Sequence, residues 1–219
     1  MLGLPDALGR SPDQPLRLLG LGAHADDLEI GAGGTVLCLL AERRHVVVRW
    51  VVLAGGGTPR EAEARAAAAA FLEGAAEVEV EIARFQDGYF PFDGAAVKDH
   101  FERSLKGFEP HLVLTHRRDD RHQDHRLVSD LTWNTFRGGA SIAEYEIPKW
   151  DGDLGRANAY VRLDDSTARR KADLLAAHFP SQHAKAWYDA ETFRALMRLR
   201  GVECASRFAE AFVCRKLVW

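Results

Sequence analysis

The chain has 219 residues, 47% of them hydrophobic, enough to bury the core of one ordinary domain. Its 28% charged residues nearly balance, leaving a net charge of −3 and a pI near 6.3, so there is no basic footprint for nucleic acid. No apolar run reaches membrane-spanning length, and the three cysteines, Cys38, Cys204 and Cys214, form neither a CxxC pair nor a disulfide framework, which favours a reducing cytoplasm.

MLGLPDALGRSPDQP lacks a basic segment followed by an apolar one, so it reads as a flexible arm over residues 1–15 and not as a secretory leader. A single domain is expected over residues 16–219. LRLLGLGA, Leu16 to Ala23, is a short buried strand ended by glycine and charge. GAGGTVLCLLAERRH follows as a glycine-rich turn feeding a helix with Val36, Leu37, Leu39 and Leu40 on one face. VVVRWVVLA is a second strand. GGGTP breaks the chain, Thr58 caps the next helix and Pro59 opens it. That helix, REAEARAAAAAFLEG, is dominated by alanine, the best helix former.

VEVEIARF is a third strand, QDGYFPFDG a loop, and VKDHFERSLKGFEP an amphipathic helix stopped by Pro110. HLVLTH is another buried strand, followed by the polar block RRDDRHQDH and a helix from about Arg126. EYEIPKW and ANAYVRL read as strands, STARRKADLLAAHF as a helix capped by Ser166, and ETFRALMRLRG as a helix closed by Gly201. Strands alternating with helices predict an α/β fold, a Rossmann-like three-layer sandwich with a mostly parallel sheet.

Two polar clusters stand directly after strands, where α/β sheets place their ligands. GAHADDLEIGAGGT, Gly22 to Thr35, offers His24, Asp26, Asp27 and Glu29; RRDDRHQDH offers His122, Asp124 and His125. Two imidazoles and one carboxylate with an open fourth position are a recurring catalytic zinc shell. A second carboxylate beside it suits a general base for hydrolysis. GAGGT matches neither GxGxxG nor GxxxxGK[ST], and Asp26 and Asp27 would repel a phosphate there.

AHADDLEIGAGGT resembles the AHPDDxExGxGGT signature of the PIG-L/LmbE-like zinc-dependent N-deacetylases, and RHQDHRLV resembles their HPDH segment. PREAEARAAAAAF, FQDGYF, FPSQ and FAEAFV are similar to further elements of that family, so the resemblance runs from about Leu16 to the end. It implies that His24, Asp27 and His125 bind one zinc or another divalent ion, and that Asp26 is the general base. It implies that His122 stabilises the oxyanion and can protonate the amine, and that Asp124 orients an imidazole. Arg60 and, more loosely, Asp87 would contact substrate. The implied reaction is hydrolysis of the acetamide of a small N-acetylated sugar or sugar conjugate, of N-acetylglucosamine type, to amine and acetate. A thiol conjugate or a non-sugar amide is the alternative substrate. A binding protein that keeps the metal but not the chemistry is the rival class. The resemblance is compatible with a homo-oligomer.

Two positions depart from the pattern: Ala25 and Gln123 replace prolines that would stiffen their loops. Other residues carry ordinary expectations. His116 reads as structural, Asp119, Asp120 and Arg121 as solvated, and Glu29 as a helix cap or an acceptor behind a zinc histidine. Trp133, Trp150 and Trp187 read as packing residues able to stack on a sugar. The segment containing Glu144 and Glu146 is expected to influence substrate choice.

Overall fold

Apolar, β-branched runs build a seven-stranded sheet in the order β3-β2-β1-β4-β5-β7-β6. The computed structural model describes residues 14–216, so the expected arm lies, apart from Gln14 and Pro15, outside the described residues. β1 (Leu16–Gly22), β2 (Val46–Ala54), β3 (Glu77–Phe85), β4 (Leu112–His116) and β5 (Ser141–Tyr145) run parallel. β7 (Phe208–Val213) runs antiparallel to both β5 and β6 (Ala159–Leu163). The sheet is mostly parallel, as the alternation predicts. β5 stops at Tyr145, so the second half of EYEIPKW is loop; Pro148 has no N–H to give a ladder.

Period-two alternation divides the core between the two faces of the sheet. Leu16, Leu18, Val48, Trp50, Leu112 and Leu114 pack on one side with residues of α1 (Asp27–Glu42), α2 (Pro59–Phe71), α5 (Asp165–His178) and α6 (Ala190–Glu203). Leu19, Leu21, Val51, Leu53 and Val113 pack on the other with α3 (Gly94–His100) and α4 (Gln123–Phe136). These are the three layers. No helix among the described residues is long and apolar enough to cross a membrane.

Several helix boundaries differ from expectation; α3, for one, starts at Gly94 and gives way to a π-helical turn over Phe101–Leu105 instead of running on to Pro110. The glycine-rich stretch is not a turn: α1 begins at Asp27 and runs through Gly31, Gly33 and Gly34. Close packing requires them small. A Cβ on Gly31 would stand 2.2 Å from Tyr145 Cδ2, and one on Gly33 2.5 Å from Phe71 Cε1. α4 begins at Gln123, not near Arg126, because the His122 ring acts as its N-cap. Asp164 caps α5 in place of Ser166, accepting the Thr167 N–H at 2.7 Å. α6 continues past Gly201 to Glu203.

β2 and β4 flank β1 on opposite sides, so the order in which strands are added reverses there. The carboxyl ends of β1 and β4 at such a switch point are the usual ligand position in these sheets. Both polar clusters meet there.

Candidate metal and catalytic site

The β1–α1 turn supplies His24 and Asp26 and the start of α1 supplies Asp27; His122 caps α4 and the first turn of α4 supplies His125. Three of their atoms converge. His24 Nδ1 lies 3.4 Å from Asp27 Oδ2 and 3.2 Å from His125 Nε2, and His125 Nε2 lies 3.5 Å from Asp27 Oδ2. A tetrahedral ion bound at about 2.0–2.1 Å needs its ligand atoms about 3.3 Å apart, so this triangle fits one.

The outward-facing nitrogens are held as metal-binding imidazoles require. His24 Nε2 reaches Asp124 Oδ2 at 3.1 Å and Asp87 Oδ1 at 3.0 Å. His125 Nδ1 reaches Asp120 Oδ2 at 2.9 Å. A ring N–H donated outward to a carboxylate leaves the inward nitrogen with a free lone pair. Asp27 Oδ2 is itself fixed by the His24 N–H at 2.7 Å. Burial opposes charge on His24, yet Asp124, Asp27 and Asp87 hold its imidazole well above the ordinary value. Burial, and then His116, push His125 down to about 4, so it stays neutral.

Asp26 stands beside Asp27 at the N-cap of α1 with φ 109° and ψ −21°, a left-handed backbone that costs a non-glycine residue about 1–3 kcal/mol. Burial, and then the adjacent Asp27, push its carboxyl up to about 7. The Arg60 guanidinium opposes this from 3.0 Å, and Lys185 adds a further positive charge. Arg60 also donates to the Ala25 carbonyl, and meets Glu63 at 2.6 Å and Ser181 Oγ at 2.9 Å. Arg60 therefore reaches the site, where it grips Asp26 and the loop that carries it.

That grip answers the missing proline at Ala25. The second is answered likewise: Gln123 donates its amide to the Gly88 carbonyl, tying the β4–α4 loop to the loop after β3. Asp124 strengthens the tie by accepting N–H groups from Gly88 at 2.7 Å and Phe90 at 3.1 Å. Asp87 belongs to the same loop; its side chain is 73% exposed, and it shares His24 with Asp124.

His122 Nδ1 accepts the Asp124 N–H at 3.3 Å, so the neutral ring carries its proton on Nε2. Burial, and then His24, lower its pKa, which keeps it neutral. The ring lies 4.8 Å from His24 and 4.6 Å from His125, centroid to centroid.

Two residues read as ordinary belong to this assembly. Asp120 is not solvated: it is buried and holds His125. His116 is fully buried, stacks on His125 at 3.8 Å and sets Nε2 3.2 Å from Asp27 Oδ2. No local pattern distinguishes either from its neighbours; a carboxylate two residues before the HQDH segment is the available signal. Glu29 is fully buried, and neither of its oxygens has a hydrogen-bond partner.

Glu144 and Glu146 are occupied elsewhere. Glu144 meets Arg215 and the Trp133 indole, each at 2.6 Å, and Glu146 is clamped by Arg200 at 2.7 Å. Trp133 is thus a packing residue. Trp150 is 72% exposed and meets Trp187 edge to face at 6.1 Å.

A family model described as PIG-L, GlcNAc-PI de-N-acetylase, matches residues 19–136, more than half of the chain. No curated protein matches the chain significantly. Among solved structures, a conserved protein of Thermus thermophilus is similar with TM-score 0.72 and 23% identity, over 93% of this chain and 96% of that one. The N,N'-diacetylchitobiose deacetylase of Pyrococcus horikoshii is similar with TM-score 0.65 and 18% identity, over 95% and 88%. GalB, the 4-carboxy-2-hydroxymuconate hydratase of Pseudomonas putida, is similar with TM-score 0.68 and 16% identity, over 93% and 98%.

Proposed function

The chain is a hydrolase of the PIG-L family, and from that premise we propose that it removes the acetyl group from a small N-acetylated sugar or sugar conjugate, using a divalent ion held by His24, Asp27 and His125. One observation carries this reading: three inward donors at tetrahedral spacing, with both histidines backed by carboxylates. Zinc, or another divalent ion that accepts imidazole, would supply Lewis-acid polarisation of the acetyl carbonyl and a lowered pKa for water.

The chain's own side chains do the rest. Asp26, poised near neutrality, takes the proton from water as its oxygen attacks the acetyl carbon. His122 Nε2–H donates to the developing oxyanion, a role that suits a neutral imidazole. When the C–N bond breaks, Asp26 returns the proton to the departing amine, and acetate and free amine leave. His122, with its lowered pKa, is a poor proton source, so both proton transfers fall to Asp26. Arg60 holds Asp26 against rotation and favours its ionised form. The substrate class is supported by the family description and by the chitobiose specificity in the name of the Pyrococcus enzyme.

The test is acetate release from N-acetylglucosamine, diacetylchitobiose, an N-acetylated thiol glycoside and a simple acetanilide, with metal content measured on every sample. A hydratase shares this fold, so an unsaturated tricarboxylate belongs in the panel. Asp26→Asn suits the left-handed backbone. It is expected to retain metal and lose about 10²–10⁴-fold in turnover. His125→Ala is expected to lose the metal. Equal metal loss in both variants would refute the division of roles.

A further inference from the structure

Behind the donor centre lies a buried cation that the reaction does not use. Lys149, in the loop after β5, is 7% exposed; its Nζ lies 3.0 Å from Asp120 Oδ1, 2.6 Å from Asp153 Oδ2 and 3.6 Å from Asp151 Oδ2. Asp120 Oδ1 also accepts the His122 N–H at 2.7 Å, while Asp120 Oδ2 takes His125 Nδ1 at 2.9 Å. Both oxygens of one buried carboxylate are thus engaged from fixed directions. Asp153 secures the arrangement from the other side, accepting the Arg121 N–H at 2.7 Å, while its carbonyl accepts from Arg117.

Neutralising Asp151 and Asp153 needs no buried lysine, because an exposed ammonium would serve. Burying the ammonium is unfavourable unless it is paired in good geometry. What burial achieves is contact with Asp120. Without Lys149, Asp120 Oδ1 keeps only a backbone partner, and the carboxylate is free to turn away from His125.

We propose that Lys149 is a positioning residue: through Asp120 it fixes the His125 imidazole with Nε2 directed at the donor centre. The assignment rests on the metal reading above. It also gives the loop after β5 a role in metal retention, beyond any effect on substrate choice.

The test is zinc affinity of the metal-free full-length protein, measured by competition with a chromogenic chelator. Thermal melts of the metal-free proteins check that each variant folds. Asp120→Asn is expected to weaken zinc binding about 10–100-fold, the usual effect of losing a carboxylate behind a metal histidine. Lys149→Met is expected to lose about tenfold, at the low end of that range, and Lys149→Arg to restore most of it. The double variant Lys149→Met/Asp120→Asn is expected to bind no more weakly than Asp120→Asn alone, because Lys149 acts through Asp120. Unchanged affinity in Lys149→Met, or losses that multiply in the double variant, would overturn the proposal. If Lys149→Met does not fold, Asp120→Asn and Lys149→Arg decide: retained affinity in the first, or lost affinity in the second, overturns it. A wild-type protein that binds no zinc, or a His125→Ala variant that binds it normally, would remove the metal reading itself and this assignment with it.

Discussion

Arg60→Met separates two roles for one arginine. The resemblance places Arg60 on substrate, whereas the structure places it 3.0 Å from Asp26 Oδ2. Methionine keeps an unbranched apolar stem beside Phe179, over whose ring the guanidinium sits at 5.4 Å, and removes only the charge and its hydrogen bonds. Opposite charges about 4 Å apart interact by about 4 kcal/mol at an effective dielectric of about 20. The Arg60 side chain is 23% exposed, and Lys185 also acts on Asp26, so part of that is screened or replaced. An opposite charge at this range moves a carboxyl by about 1–3 units, and a displacement of about 1–2 units is expected here. The direction is upward, because the lost cation favoured the carboxylate. The acid limb of kcat/KM, which reports the free enzyme's base, should move to higher pH by that amount. Activity is then depressed at neutral pH and recovers in alkali. A bound ion lowers Asp26 in both proteins, so the displacement between them is the observable. Profiles from about pH 5 to 10 for wild type, Arg60→Met and Arg60→Lys measure it, with the lysine variant near wild type. A limb that stays in place while KM alone rises would refute the structural reading and return Arg60 to the substrate.

Glu29 gives a stability prediction of opposite sense to most carboxylates. Burial pushes it from its ordinary 4.5 to about 8, so its contribution is fully present below pH 4.5, declines between 4.5 and 8, and is gone above that. Glu29→Gln does not titrate, so urea unfolding of the metal-free variant should match wild type near pH 5 and exceed it by ~2–4 kcal/mol at about pH 9; parallel pH curves would contradict this. Gly31→Ala adds a methyl 2.2 Å from the Tyr145 ring, whose hydroxyl donates to the Leu21 carbonyl at 2.7 Å. Overpacking of ~1–3 kcal/mol outweighs the ~1 kcal/mol helix gain, and thermal unfolding should show a lower midpoint, whereas a higher one would mean the close packing is not real.

The candidate site is legible because few residue types can ligate a metal or move a proton, and HADD and HQDH stand directly after apolar runs that read as buried strands. The residues that support them are not. Asp120 and Asp119 are indistinguishable along the chain; what separates them is a 2.9 Å contact with His125 that exists only once the β4–α4 loop is folded. The start of α1 is hidden for a related reason. Three glycines in four residues argue for a turn by propensity, and the rings of Tyr145 and Phe71, distant in sequence, decide otherwise. Asp164 and Ser166 are both good caps by residue type; in the fold Asp164 has the extended backbone and accepts the Thr167 N–H, while Ser166 lies inside the helix. The missing prolines point to looser loops, but Arg60 and Gln123 tie those loops through tertiary contacts.

The left-handed backbone at Asp26 has a consequence for anyone improving this protein by selection. Glycine would relax that position and remove a buried carboxylate, two gains in thermal tolerance from one codon. It would also delete the proposed base. Screens that reward heat resistance alone will be drawn to the residue proposed as the base, so libraries should hold position 26 constant and seek robustness elsewhere.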